Sequence, residues 1–118
     1  MKKKFAFILI FLFLVGCSNF TLNGYRSLAI GNVTYDKTFK AMAELYNEGK
    51  INDIQWVNAV ELGRIYKLAH NGAAEALATY EEKGGQENKD AYFTAINKMG
   101  DTLADLQKYC LPLINKEK

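Results

Sequence analysis

One proline in 118 residues, and that one at position 112, leaves almost the whole chain free of the residue that stops helices. Alternation of apolar and polar residues, the mark of a half-buried strand, is nearly absent. A single histidine, His70, has no HExxH spacing around it and no Cys or Asp partner four residues away, so a metal site has no ligand set. No nucleophile elbow, no phosphate-cradling glycine loop and no Ser/His/Asp set is present, and "GYRSLAIG" lacks both the glycine spacing and the preceding strand of a dinucleotide loop. Catalysis is therefore not expected, and no cofactor or metal is. The length allows one domain.

What is present begins at the N-terminus. "MKKK" is followed by the apolar run "FAFILIFLFLV" and then "GC". Phe5 to Gly16 is twelve residues, whereas crossing the ~30 Å hydrocarbon core takes roughly 20. A basic start, a short apolar core and small residues before a cysteine match each part of a bacterial export signal. Leu14-Val15-Gly16-Cys17 resembles the lipobox of bacterial lipoproteins. The resemblance implies that the Cys17 thiol receives a diacylglyceryl group and that a peptidase cuts between Gly16 and Cys17. A cysteine thiolate is a nucleophile suited to such alkylation, and two or more acyl chains anchor a chain that does not span the bilayer. Ser18 follows the cysteine; in two-membrane bacteria an Asp there tends to retain a lipoprotein in the inner membrane. Ser18 therefore suggests the outer membrane, facing the periplasm. In a one-membrane organism the same protein would sit on the outer face of the plasma membrane.

Cleavage changes the charge. Lys2, Lys3 and Lys4 leave with residues 1–16, so the 15 basic residues fall to twelve against 13 acidic ones. No basic surface fit for nucleic acid remains. Acylation of Cys17 would also leave Cys110 without a partner in its own chain.

Residues 17–24, "CSNFTLNG", read as the lipidated cysteine and a flexible tether, and residues 25–118 as a helical domain. The first helix is expected over about Leu22 to Glu48, with Leu28, Tyr35, Phe39, Met42 and Tyr46 on one face. Gly31 and the β-branched residues of "AIGNVT" weaken it, which would allow a start as late as Thr34. Asn52 and Gln55 form a capping box with an Ile51/Trp56 staple, opening a second helix that runs to about Glu82. Its stripe is read as Leu62, Ile65, Ala69, Ala73, Ala76 and Tyr80, flanked by Val57, Val60 and Leu68. The small residues of "AHNGAAEALA" predict close approach of a neighbour's larger side chains. Asn88 is the expected cap of the third helix. Tyr92, Ile96, Met99, Leu103, Leu106, Cys110 and Leu113 keep the alternating four-three spacing of a heptad seam. Pro112 predicts fraying or a kink near Cys110 and Leu111. The fold expected is all-α, an antiparallel up-down-up three-helix bundle, with a dimerising helical hairpin as the alternative.

Other candidate positions have plain structural readings. Cys110 falls on the seam and reads as a small apolar core residue. Asp101 and Asp105, with Lys98 and Lys108 at three-residue spacing, and Glu44 and Glu48, with Lys40 before them, read as a solvated charged face. Tyr35, Tyr46, Tyr80 and Tyr92 fall on core stripes, whereas Tyr25, Tyr66 and Tyr109 fit them less well and raise the question of an aromatic partner surface.

The span from Tyr35 to Tyr80 is similar to short helical proteins of bacterial genomes and prophages, a group without an assigned activity. The function expected is that of a membrane-anchored, non-enzymatic module for a protein partner of the cell envelope. One alternative is a structural envelope lipoprotein: the helical, heptad-bearing murein lipoprotein also ends in lysine, as Lys118 does here, though three helices depart from it. The other is a prophage-encoded exclusion or lysis lipoprotein. Spanin-type members of that class are proline-rich, which this chain is not. The oligomeric state is left open by the sequence.

Overall fold

The computed structural model describes residues 20–116, which form α1 (Phe20–Asn47), α2 (Asp53–Lys83) and α3 (Gln86–Lys116), with no strand among them. Helices of 31 residues are ~46 Å long, in keeping with a long axis of 50 Å. Contacts fix the directions. Gly24 lies against Leu77, Gly63 against Phe39 and Tyr46 against Trp56, so α1 and α2 are antiparallel. Asn58 reaches Tyr109, so α2 and α3 are antiparallel too. The chain is an all-α, up-down-up three-helix bundle, and α2 with α3 forms its most extensive contact.

Local chemistry sets the turns. Asn52 Oδ1 accepts from the Gln55 N–H at 2.8 Å, and Gln55 Oε1 accepts from the Asn52 N–H at 2.9 Å. This reciprocal box, with Ile51 and Trp56 in one apolar cluster beside it, opens α2 as expected. Before it, Gly49 at φ +72° lets the Lys50 N–H reach the Leu45 carbonyl at 2.8 Å and its own N–H reach that of Tyr46 at 3.1 Å. The paired bonds stop α1 where a side chain would strain the left-handed backbone.

Three expectations about the helices need correction. Residues 20–24, read as part of a flexible tether, are the first turns of α1, and Gly24 is buried. The helix persists through "AIGNVT" because Gly24, Gly31, Thr38 and Leu45, seven apart, form one buried row, with Leu28 and Met42 in the adjoining one. The glycines that cost helix propensity thus admit large neighbours: a Cβ on Gly24 would lie 2.8 Å from Leu77, and one on Gly31 2.8 Å from the Tyr66 hydroxyl. Second, the α2 stripe is rotated from the expected one. Ala59, Gly63, Tyr66, Ala69, Ala73 and Leu77 are buried, while Val57, Val60, Ile65 and Leu68 are exposed. Third, Asn88 lies inside α3 rather than capping it, with its Nδ2 donating to the Gly84 carbonyl at 2.8 Å. α3 itself continues past Pro112 to Lys116, its last turn held by Leu113 and Ile114 packing on the core.

The α3 seam stands as read: Tyr92, Met99, Leu106 and Cys110 are buried, and Ile96, Leu103 and Leu113 half-buried. Two apolar clusters divide the interior. One joins Leu28, Tyr66, Ala69, Ala73, Leu77, Tyr92 and Met99; the other joins Met42, Leu45, Ile51, Ala59, Leu106 and Cys110. Burying each large side chain stabilises by roughly 1.5–3 kcal/mol. No buried side-chain N or O among the described residues lacks a hydrogen bond.

Candidate functional site

Gly16, Cys17 and Ser18, the positions singled out for cleavage, lipid attachment and sorting, lie outside the described residues, as do the segment 1–16 and Lys118. The structure does fix where the chain that follows them is held. Phe20, the first residue of α1, packs edge-on against Tyr80, Tyr92 and Phe93, with ring centroids 5.0, 5.5 and 5.5 Å away. The Lys89 ammonium sits 4.7 Å above the Phe20 ring, a cation–π contact. Edge-to-face rings of this kind add roughly 0.5–1.5 kcal/mol per pair beyond burial. Phe20 was missed by the sequence reading, which placed it in the tether. Its position four residues before Gly24 and eight before Leu28, on the same face of the helix, was the available signal.

Cys110 is a free, fully buried thiol. Burial pushes it up to about 11, so at neutral pH it is protonated, shielded and inert. Tyr66, also fully buried, is pushed up to about 12, first by burial and then by the negative charge of Asp36. Both groups are neutral acids that ionise more readily in the unfolded chain. The stability they confer is therefore complete below about pH 9 and is lost as pH rises through the folded values of about 11 and 12. In a Cys17→Ser background, the urea midpoint should decline from pH 9 toward 12, and a thiol reagent should label Cys110 at least about 100-fold faster in denaturant than in buffer. Equal labelling rates would contradict the buried thiol.

His70 is half-buried and its Nε2 lies 3.2 Å from the Leu28 carbonyl oxygen, which can only accept, so this contact places the proton on Nε2. It bridges α2 to α1. No group of three His, Cys, Asp or Glu among the described residues is arranged to hold a metal ion. Asp101, Asp105, Lys98 and Lys108 are all exposed, as are Glu44 and Lys40. Glu48 pairs with Lys50 at 3.1 Å. Of the tyrosines that fitted the stripes poorly, Tyr66 is the largest fully buried side chain. Tyr109 is half-buried, its hydroxyl accepting from Asn58 at 3.2 Å. Tyr25 is exposed. The three do not converge on one surface.

Two outward faces carry apolar side chains. On α2, Ile54, Val57 and Leu68 are 60% exposed or more, with the Glu61–Arg64 ion pair between them. Beside it runs a shallow groove of about 230 Å³ lined by Ile65, Leu68, Ala69, Gly72, Ala95 and Lys98. On α1, Leu22, Tyr25, Ile30 and Val33 are exposed. No described helix is long and apolar enough to cross a membrane. No family model, no curated protein and no solved structure matches this chain.

Proposed function

We propose that this chain is a lipoprotein of the bacterial cell envelope, anchored through acyl groups on Cys17, whose three-helix bundle serves as a non-enzymatic module for a protein partner. The observation that carries the proposal is the N-terminal sequence: three lysines, a short apolar run, and Leu14-Val15-Gly16-Cys17. The membrane lipid is the first partner, and an envelope protein the second. Ser18 favours the outer membrane of a two-membrane cell; with one membrane, the same anchor places the bundle on the outer face of the plasma membrane.

The apolar side chains left outside by α2 are the material for a protein contact. Exposed aliphatic residues grouped on one helix, beside an apolar groove, are the kind of surface that docks another protein. The buried, protonated Cys110 and the carbonyl-bound His70 are occupied in packing, which supports a binding role over a chemical one.

Cells expressing the full chain should incorporate labelled palmitate, and Cys17→Ser should abolish the label, with the mobility of the uncleaved precursor. Equal labelling of Cys17→Ser and wild type would sink the anchor.

A further inference from the structure

The geometry points to the outward face of α1 as a bilayer-contacting surface, so that the bundle lies along an anionic membrane rather than standing off it. This inference rests on acylation of Cys17. Two residues, Ser18 and Asn19, separate Cys17 from Phe20, so their Cα atoms are three steps and at most about 11 Å apart at full extension. Phe20 is locked into the cluster of Tyr80, Tyr92 and Phe93. The start of α1 is thus held within about 11 Å of the acylated residue, which sits at the membrane surface.

The face that α1 then turns outward suits a lipid headgroup layer. With 3.6 residues per turn, Leu22, Ala29 and Val33 lie on one line, opposite the buried row of Gly24, Gly31 and Thr38, and Ile30 lies beside them. Leu22, Ile30 and Val33 are 49%, 67% and 53% exposed. The charged residues on that face are Arg26, Lys37 and Lys40 together with Asp36 and, near the far end of the helix, Glu44. Basic residues thus outnumber acidic ones three to two, and the basic Arg26 is the one nearest the acylated end. Long basic side chains extend their aliphatic stems over acyl chains while the charge stays with phosphate. An apolar line with basic residues is the composition of helices that lie in the membrane interface, their apolar side sunk ~5–10 Å. The apolar face of α2 differs in place and in charge: Ile54 and Val57 lie at the opposite end of the bundle from Phe20, and the Glu61 and Arg64 on it pair with each other, leaving no net basic charge. That face remains open to a protein partner.

The test uses the full-length chain, processed in cells and reconstituted in vesicles of phosphatidylcholine and phosphatidylglycerol. A fluorophore is placed on Val33→Cys or on Lys98→Cys. Lys98 lines the groove between α2 and α3, which no residue of α1 borders. Buried Cys110 and acylated Cys17 do not take the label. Quenching by nitroxide lipids should be roughly threefold or more stronger at position 33 than at 98. Leu22→Asp with Ile30→Asp, both at exposed positions, should bring position 33 down to the level of 98. Equal quenching at 33 and 98, with the acyl mass intact by mass spectrometry, overturns the inference and leaves the anchor standing. So does quenching at 33 that the double substitution leaves unchanged, or crosslinking of position 33 to a second copy. A mass without acyl groups removes the anchor and the inference together.

Discussion

Tyr66→Ala should cost the bundle about 3–5 kcal/mol, the range for truncating a large buried ring. Tyr66 has no exposed surface, stacks on Tyr35 at 5.1 Å with 20° between the rings, and lies 5.9 Å from His70. The side chain crosses from α2 to the crevice over Gly31, so its loss empties the space at the centre of the larger cluster. A small domain has only ~5–15 kcal/mol in total, and for this size each kcal/mol moves the melting temperature by roughly 4–8 °C. The melting transition should therefore fall by about 15 °C or more, or vanish. Tyr66→Phe separates ring from hydroxyl. The hydroxyl reaches only Asn32 Oδ1, at 3.4 Å, a long bond, and its removal should cost about 1 kcal/mol or less. Urea titrations followed by circular dichroism measure both. A cost below ~1 kcal/mol for Tyr66→Ala would mean that the centre of the core lies elsewhere.

The importance of Tyr66 shows why part of this fold was legible in the sequence and part was not. In α3 the seam is built from large apolar residues at alternating spacing, so hydrophobicity and burial point to the same side. In α2 they diverge. Ala59, Gly63, Ala69 and Ala73 form much of the buried face because Phe39, Leu28 and Met99 fill the space beside them, while Ile65 and Leu68 look outward. Weighting residues by apolar size therefore selected a stripe rotated toward solvent. The same effect concealed the start of α1, where Gly24 and Gly31 read as breakers but act as crevices for Leu77 and Tyr66. The capping box at Asn52 was legible because its signal is local: two side chains and two backbone N–H groups within four residues.

The proposed site divides in the same way. Its attachment point is a sequence signal with no need of tertiary context. The faces that would meet lipid or protein consist of exposed aliphatic residues, which a one-dimensional reading assigns to the core by default. Only the contact pattern separates Leu22, Ile30 and Val33 from Leu28 and Met42 on the same helix. A surface of this kind has no spacing rule of its own; it is what remains apolar after the buried rows are subtracted.

Crevices filled by a partner's ring give the second large expected effect. Gly63→Val should destabilise by about 3 kcal/mol, at the upper end of the usual cost of overpacking. A Cβ at Gly63 would collide with the edge of the Phe39 ring, in contact with both Cε2 and Cζ, and would lie 3.2 Å from Tyr35 Cε2. Phe39 cannot simply swing aside, because its ring is wedged between Tyr35 at 4.8 Å and Trp56 at 6.0 Å. α1 would have to move off α2, opening both clusters. Helix propensity acts the other way, since replacing a mid-helix glycine gains up to ~1 kcal/mol, so the clash must exceed that to show. Gly100→Ala isolates the propensity contribution: Gly100 is exposed on α3 and a Cβ there meets nothing within 4 Å. That variant should gain about 0.5–1 kcal/mol. Opposite signs for these two glycine substitutions in urea melts are the expected result; a gain for both would show that α1 is not seated against Gly63.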